Sequence, residues 1–250
     1  PENASDVDPR KEQQARDVID QAARDVAAPL LVGSQQYVEN GRYNQSLLWQ
    51  PGVGIVDLYA KQRPAPFGEY IPMRSFFSRF SDMTDLVTTD MLPGKEIGTL
   101  PLESPRLGRP VVLGSVICFE VAYDDVVRDA VAGGAEVLLV QTNNSNFGYS
   151  AESTQQLAMS RMRAIESGRP TIQISTVGVS GVIDATGRVQ QRTRLFEPAQ
   201  LVASVPLRST LTPATRAGAV PAWVAVAVAS ATTVAGMIVA VSARKGRRKS

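Results

Sequence analysis

A single cysteine, Cys118, closes a nearly unbroken apolar run at 111–117 and stands just before a helical pattern. A sulfur at such a strand-to-helix turn meets the partial positive charge of a helix start, which favours thiolate, the form that attacks carbonyl carbon. The ordinary reading of a lone cysteine in an apolar run is inert packing, so position alone leaves both roles open. A second feature narrows the chemistry: the 250 residues contain no histidine. That removes Ser-His-Asp and Cys-His arrangements and every histidine-containing metal site together. Acyl-transfer or hydrolytic chemistry here has to take its base from Glu, Asp or Lys. No metal and no cofactor is expected.

The elements that must position this sulfur follow from the hydrophobic pattern. Ala15, Val18, Ile19, Ala22, Ala23 and Val26 recur at helical spacing within 8–27, which predicts an amphipathic helix on a core. Strands are predicted at 30–34, 46–49 and 55–59, the last two paired around Pro51-Gly52-Val53-Gly54. Residues 64–110 are irregular and rich in Pro, Gly and Phe, with a short helix at 74–80, and read as loops carrying function. The run 111–117 predicts a strand covered on both faces. A helix at 121–132 ends at Gly133-Gly134, a buried strand follows at 137–142, and a helix at 153–167 has Ser153 as N-cap and Gly168 as stop. Further strands are predicted at 171–177, 181–184, 189–192 and 201–207, with Thr186-Gly187 turning a hairpin. Alternation in the middle and clustered strands at the end give an α/β class with a mixed sheet.

Composition sets the limits around this core. At 44% hydrophobic content the chain can bury one sizeable core, so one globular domain plus an appendage is expected. It opens on a proline with neither initiator Met nor signal-peptide pattern, and reads as a segment of something longer. The formal charge is +2, and the basic excess sits at one end, in Arg244, Lys245, Arg247, Arg248 and Lys249. No nucleic-acid partner is expected from that distribution. From Ala219 to Val241 there is no charge, and such a stretch spans roughly 30 Å as a helix, the thickness of a bilayer's hydrocarbon. We expect a transmembrane helix at 219–241, with Trp223 as an interfacial anchor, a linker at 211–218 and a basic tail at 242–250. The positive-inside rule places that tail in the cytoplasm and the globular domain, 1–210, outside it.

Three stretches then carry a resemblance. Lys61 lies in Tyr59-Ala60-Lys61-Gln62-Arg63-Pro64-Ala65-Pro66-Phe67-Gly68-Glu69-Tyr70-Ile71-Pro72, Cys118 in Ile117-Cys118-Phe119-Glu120, and the chain opens Pro1-Glu2-Asn3-Ala4. Together they resemble the nitrilase, or carbon-nitrogen hydrolase, superfamily, and the Pro-Phe-Gly-Glu-Tyr-Ile-Pro version is similar to the apolipoprotein N-acyltransferase family within it. Arg161-Met162-Arg163-Ala164-Ile165-Glu166-Ser167-Gly168-Arg169-Pro170 and Leu211-Thr212-Pro213 agree, so the resemblance runs from Pro1 to the last apolar segment. It implies a nitrilase-like α-β-β-α sandwich with mixed sheets, whose first strand lies before Pro1, plus a C-terminal transmembrane helix. It also implies a Glu2, Lys61 and Cys118 triad supported by Glu69 and Glu120. Substrate contacts are expected from Phe67, Phe119 and Phe147, and from Phe76 and Phe77 in the irregular insertion. That Phe cluster, with Phe80, Met73 and Met83, reads either as a core patch or as an arm admitting acyl chains. Two departures stand out: Ser145 and Asn146 replace the usual acidic residue and tryptophan, and Phe119 replaces a common tyrosine.

By the same resemblance, the substrates are a phospholipid acyl donor and a diacylglyceryl apolipoprotein acceptor, handled by a monomer at the plasma membrane that is multi-pass when complete. Two other readings stay open from the residues: a membrane-tethered amidase or nitrilase using the same triad, and a non-catalytic lipoprotein-binding module.

Overall fold

Strands in the first part of the chain arise where β-branched, aromatic and amide-bearing residues alternate around tight turns. In the computed structural model these are β1 (Leu30–Val38), β2 (Gly41–Gln50) and β3 (Gly54–Ala60), an antiparallel sheet in the order β1-β2-β3. The backbone of residues 1–247 is described; 248–250 and the side chains of Met83 and of 239–247 lie outside the described residues, and with them much of the basic tail expected at 242–250.

A second, six-stranded sheet runs β4-β5-β6-β7-β8-β9, comprising β4 (Thr99–Ser104), β5 (Arg109–Ile117), β6 (Val137–Thr142), β7 (Thr171–Ser175), β8 (Gly181–Ile183) and β9 (Val189–Arg192). Its centre, β5-β6-β7, is parallel and its flanks are antiparallel. Parallel neighbours need covered crossovers, and α3 (Asp124–Ala132) and α4 (Glu152–Ser167) supply them. The two sheets meet through Leu48 and Tyr59 on one side and Leu100, Leu113, Ile117 and Val137 on the other. On the far face of the larger sheet, Val116, Leu138 and Val140 pack with Val127 and Val131 of α3, and Leu157 and Ala164 of α4 pack with Ile183. Helix α1 (Gln13–Asp25) covers the smaller sheet, where Asp20 accepts from Trp49 Nε1 and Gly52 N. The layers are therefore α-β-β-α, the architecture that the sequence motifs implied.

Several boundaries differ from expectation for identifiable reasons. Strand β4 falls within the stretch read as irregular because Pro101 and Pro105 flank and interrupt it. It occupies the sheet edge, where a proline removes no ladder bond that a neighbour needs. The helix expected at 121–132 splits into a 3-10 turn, Cys118–Ala122, and α3, with Tyr123 extended between them. Ser153 is not the N-cap of α4: its hydroxyl accepts the Val179 N–H at 2.8 Å, and the helix starts one residue earlier without a side-chain cap. Gly168 does stop that helix, in the left-handed region at φ 65°. Residues 201–207 form no strand. Val205 and Leu207 pack against the core between the sheets, so the apolar alternation reflects burial and not a ladder.

The chain divides into two compact units, Pro1–Thr212 and Pro213–Ser250. The second contains α5 (Pro213–Ala217), inside the stretch expected to be a linker, and α6 (Val220–Arg247). Its apolar part, Val220–Ile238, is the one helix among the described residues that is long and apolar enough to cross a membrane.

Candidate active site

Strand β5 ends at Ile117 and the chain reverses at Cys118, which adopts φ 54°. A non-glycine residue pays for this left-handed conformation with roughly 1–2 kcal/mol, and such outliers concentrate where geometry serves function. The reversal turns the sulfur out of the strand toward Thr142 Oγ1, at 3.5 Å, and Gln156 Nε2, at 3.7 Å. The helix start expected after the cysteine is thus a short 3-10 turn. Burial and the nearby Glu2 carboxylate push the Cys118 thiol above its ordinary range, against the pull of Lys61.

Lys61 follows β3 and continues its pairing with β2, its N–H donating to Asn44 O at 2.9 Å. Its ammonium is fully buried and lies 2.5 Å from Glu69 Oε1 and 3.8 Å from Glu2 Oε1. Burial alone would lower its pKa; the Glu2 and Glu69 carboxylates outweigh it, and Lys61 is pushed up to about 12. Glu69 stays in place because its second oxygen accepts the Ala65 N–H at 2.6 Å. The pairing that the spacing of eight residues made available is therefore a turn closed by one carboxylate.

Glu2 comes from the other side, on a segment that runs parallel to β1 through the Ser5–Ser34 bridge. Gly33 makes that approach feasible: a Cβ there would collide with Pro1 O, the Glu2 Cα and the Asn3 N. Its carboxylate accepts Asn44 Nδ2 and Asn143 N, each at 2.6 Å. Burial raises the Glu2 pKa, with Lys61 and these two donors opposing. One wall of the cleft is thus a buried carboxylate with a raised pKa, facing an ammonium whose charge two carboxylates favour.

Glu120 has a different job from the other acids. It is wholly buried, and it accepts from Gln62 N (2.6 Å), Arg63 N (3.1 Å), Tyr59 Oη (2.9 Å) and Ile117 N (2.8 Å). It ties the end of β3, which carries Lys61, to the end of β5, which carries Cys118. Its partner at Arg63 is the backbone; the guanidinium pairs with Asp125 at 2.5 Å. Glu120→Gln would set an amide N–H against the Ile117 N–H, leaving a buried donor unpaired, and should cost about 2 kcal/mol. Denaturant unfolding of the two proteins reads this directly; equal midpoints with equal slopes would contradict the clamp.

Glu2, Lys61, Glu69 and Cys118 all line one cleft of about 290 Å³, together with Phe119, Phe147, Asn143, Ser145 and Asn146. Of the expected substrate contacts, Phe119 and Phe147 are therefore in the cleft. Phe67, Phe76 and Phe77 are not among its lining residues; Phe67 and Phe76 each meet Phe77 edge-on, with centroids 5.2 Å apart. Phe76 is 52% exposed and neighbouring Phe80 73%, so the cluster is a surface patch and not core. Sequence reading missed Asn44, Thr142 and Gln156. None of the three had a signal in the local pattern: Asn44 sits inside β2, followed by the polar and equally buried Gln45 and Ser46. Among the described residues no cluster of His, Cys, Asp and Glu could hold a metal ion.

A two-sheet α-β-β-α sandwich with a carboxylate, an ammonium and a thiol lining one cleft defines a fold of the nitrilase type. The chain belongs to the carbon-nitrogen hydrolase family, whose model matches residues 13–240. It is 37% identical over 224 residues to an apolipoprotein N-acyltransferase of Mycolicibacterium smegmatis, an alignment covering 87% of this chain and 36% of the relative. A protein of the same name from Chlorobaculum tepidum is 32% identical over 176 residues, covering 70% and 33%. The chain spans about a third of the length of these curated relatives. Among solved structures, an amidase from Nesterenkonia sp. matches with a TM-score of 0.56 at 20% identity, covering 77% of this chain and 66% of the other, which speaks for the fold.

Proposed function

We propose that this chain is the catalytic part of an N-acyltransferase that moves an acyl chain from a phospholipid to the α-amine of a diacylglyceryl-cysteine on an apolipoprotein. The observation that carries the reading is the buried Lys61 ammonium set between Glu2 and Glu69 in the cleft that Cys118 lines. Glu2, lifted by burial, takes the Cys118 proton as general base. The sulfur forms a bond to the ester carbonyl carbon, and the developing oxyanion is met by the Lys61 ammonium. When the carbon–oxygen bond breaks, Glu2 returns the proton to the leaving lyso-lipid and a thioester remains. An amine then attacks the thioester, Glu2 removes its proton, and the amide forms as the thiolate leaves. The cycle is ping-pong, with no free acid released. Glu69 fixes the ammonium, and Glu120 fixes the two strand ends. Phe119 and Phe147 would flank the reacting ester, while the Phe67, Phe76 and Phe77 patch would meet acyl chains at the lipid surface.

Incubation with labelled phospholipid followed by intact-mass measurement tests the reading. The expected result is an acyl adduct on Cys118 that an amine acceptor removes as amide. Adduct turnover by water alone, at the same rate with and without amine, would make it a hydrolase. No adduct would leave a binding module.

Two predictions belong here. Gly33→Ala should displace the Glu2 segment, and a misplacement near 1 Å costs about 10²-fold in acylation rate. An unchanged circular dichroism spectrum beside that loss would separate positioning from unfolding; an unchanged rate would contradict the proposed approach of Glu2. We also propose that the apolar part of α6 spans the membrane, that the globular unit lies outside the cytoplasm and that the basic residues at 244–249 remain inside. Protease added to the outside of intact cells should cut the globular unit, and protection there with cutting only from the cytoplasmic face would reverse the orientation.

A further inference from the structure

We propose that Gln156 sets the reactivity of Cys118, as an amide donor to the thiolate whose orientation is dictated by a hydrogen-bond chain beginning at the backbone of Gly178. The inference rests on reading Cys118 as the nucleophile. Its starting point cannot reverse: the Gly178 N–H donates to Ser175 Oγ at 2.9 Å. Ser175 in turn donates its own proton to Asn144 Oδ1, at 2.5 Å. With that oxygen engaged, Asn144 offers Nδ2 to Gln156 Oε1, at 2.7 Å. The same Gln156 oxygen takes the Thr142 hydroxyl proton at 2.8 Å. Thr142 has a single proton, and this acceptor is nearer than the sulfur at 3.5 Å. Both acceptor positions on Gln156 are thus filled, and its Nε2 is left facing Cys118 Sγ at 3.7 Å. Turning the amide over would place its N–H against the N–H of Asn144.

The chain is built in. Thr142, Asn144 and Gln156 are all buried, and a side chain on Gly178 would collide with Asn144 Oδ1 and Ser175 Oγ. A donor in such surroundings binds an ionised sulfur more strongly than a neutral one, so the contact tightens as the proton leaves. Lys61 is already flanked by two carboxylates; Gln156 is a neutral donor to the sulfur and carries no such competing partner charge.

Cys118 is the sole cysteine, so alkylation of the full chain by iodoacetamide, followed by intact mass across a pH series, reports on this sulfur alone. Gln156→Met keeps length and removes the donor; the midpoint of the alkylation profile should rise by about one pH unit, a roughly tenfold slower reaction on the acid side. Asn144→Leu leaves Gln156 and the sulfur's neighbours unchanged but frees the amide to turn, and should shift the midpoint the same way by a smaller amount. That second shift is what a merely space-filling Gln156 would not produce. Wild-type midpoints in both variants, with cooperative thermal unfolding retained, would overturn the proposal; if Gln156→Met does not fold, the wild-type midpoint in Asn144→Leu alone would do so. Alkylation needs no lipid, so the two readings part cleanly. A Gln156-dependent midpoint without acyl loading keeps this inference and sinks the transferase, and acyl loading with unmoved midpoints does the reverse.

Discussion

Cys118→Ala is expected to abolish the acyl adduct and to lower transfer by about 10⁴–10⁶-fold, the scale seen when a catalytic nucleophile is removed and only binding and oxyanion contacts remain. The sulfur is the atom to which the acyl group would be bonded, so no neighbour can substitute. Lys61 is buried and charged, and Thr142 presents a hydroxyl 3.5 Å away with no base of its own. Residual adduct in Cys118→Ala would place the nucleophile elsewhere and end the mechanism. The same position yields a stability measurement independent of turnover. Because residue 118 sits at φ 54°, Cys118→Gly should be more stable than Cys118→Ala by about 1 kcal/mol, since glycine alone enters that region without a Cβ penalty. Denaturant midpoints of the two variants decide it, and an alanine variant at least as stable as the glycine one would deny the strain.

Glu2→Gln should lower acylation by about 10²–10⁴-fold while preserving the fold. Glutamine retains an oxygen for the Asn44 amide or the Asn143 N–H but cannot take the thiol proton. The pH dependence gives the sign. Glu2 acts when ionised, and burial raises its pKa above the ordinary glutamate value. Acylation by the native chain should therefore fall as the solution is acidified, with its midpoint above that of an ordinary glutamate. At the alkaline end Lys61, pushed up to about 12, keeps its charge throughout the working range. Glu2→Gln removes the acid limb along with the rate. A variant that keeps both the rate and the native acid limb would assign the base to another group, with Glu69 the first to test.

A tie between distant strands explains why these groups sit together. Glu120 holds the backbone beyond Lys61 against the backbone before Cys118. Asn143 reaches Glu2 across 141 positions of sequence. Such contacts leave no trace in composition, because a backbone N–H is the same at every residue.

What the sequence determined by itself was the chemistry available and the parts that could carry it. With no histidine, any base had to be an acid or a lysine; with one cysteine, any thiol nucleophile had one address. Apolar runs at 111–117 and 137–142 specified buried strands, Gly168 specified a helix end, and the uncharged stretch from Ala219 specified a helix with the length of a bilayer. The three motifs around Glu2, Lys61 and Cys118 marked the family. Tertiary structure alone decided that the Phe76 patch faces outward, that the alternation at 201–207 marks burial without a ladder, and that Pro101 lies in an edge strand. It also alone supplied Asn44, Thr142 and Gln156, whose roles depend on which polar groups the folded sheets bring within hydrogen-bond reach. Local pattern fixes which face of an element is apolar; which side chains meet across the sandwich is settled only when the sheets pack.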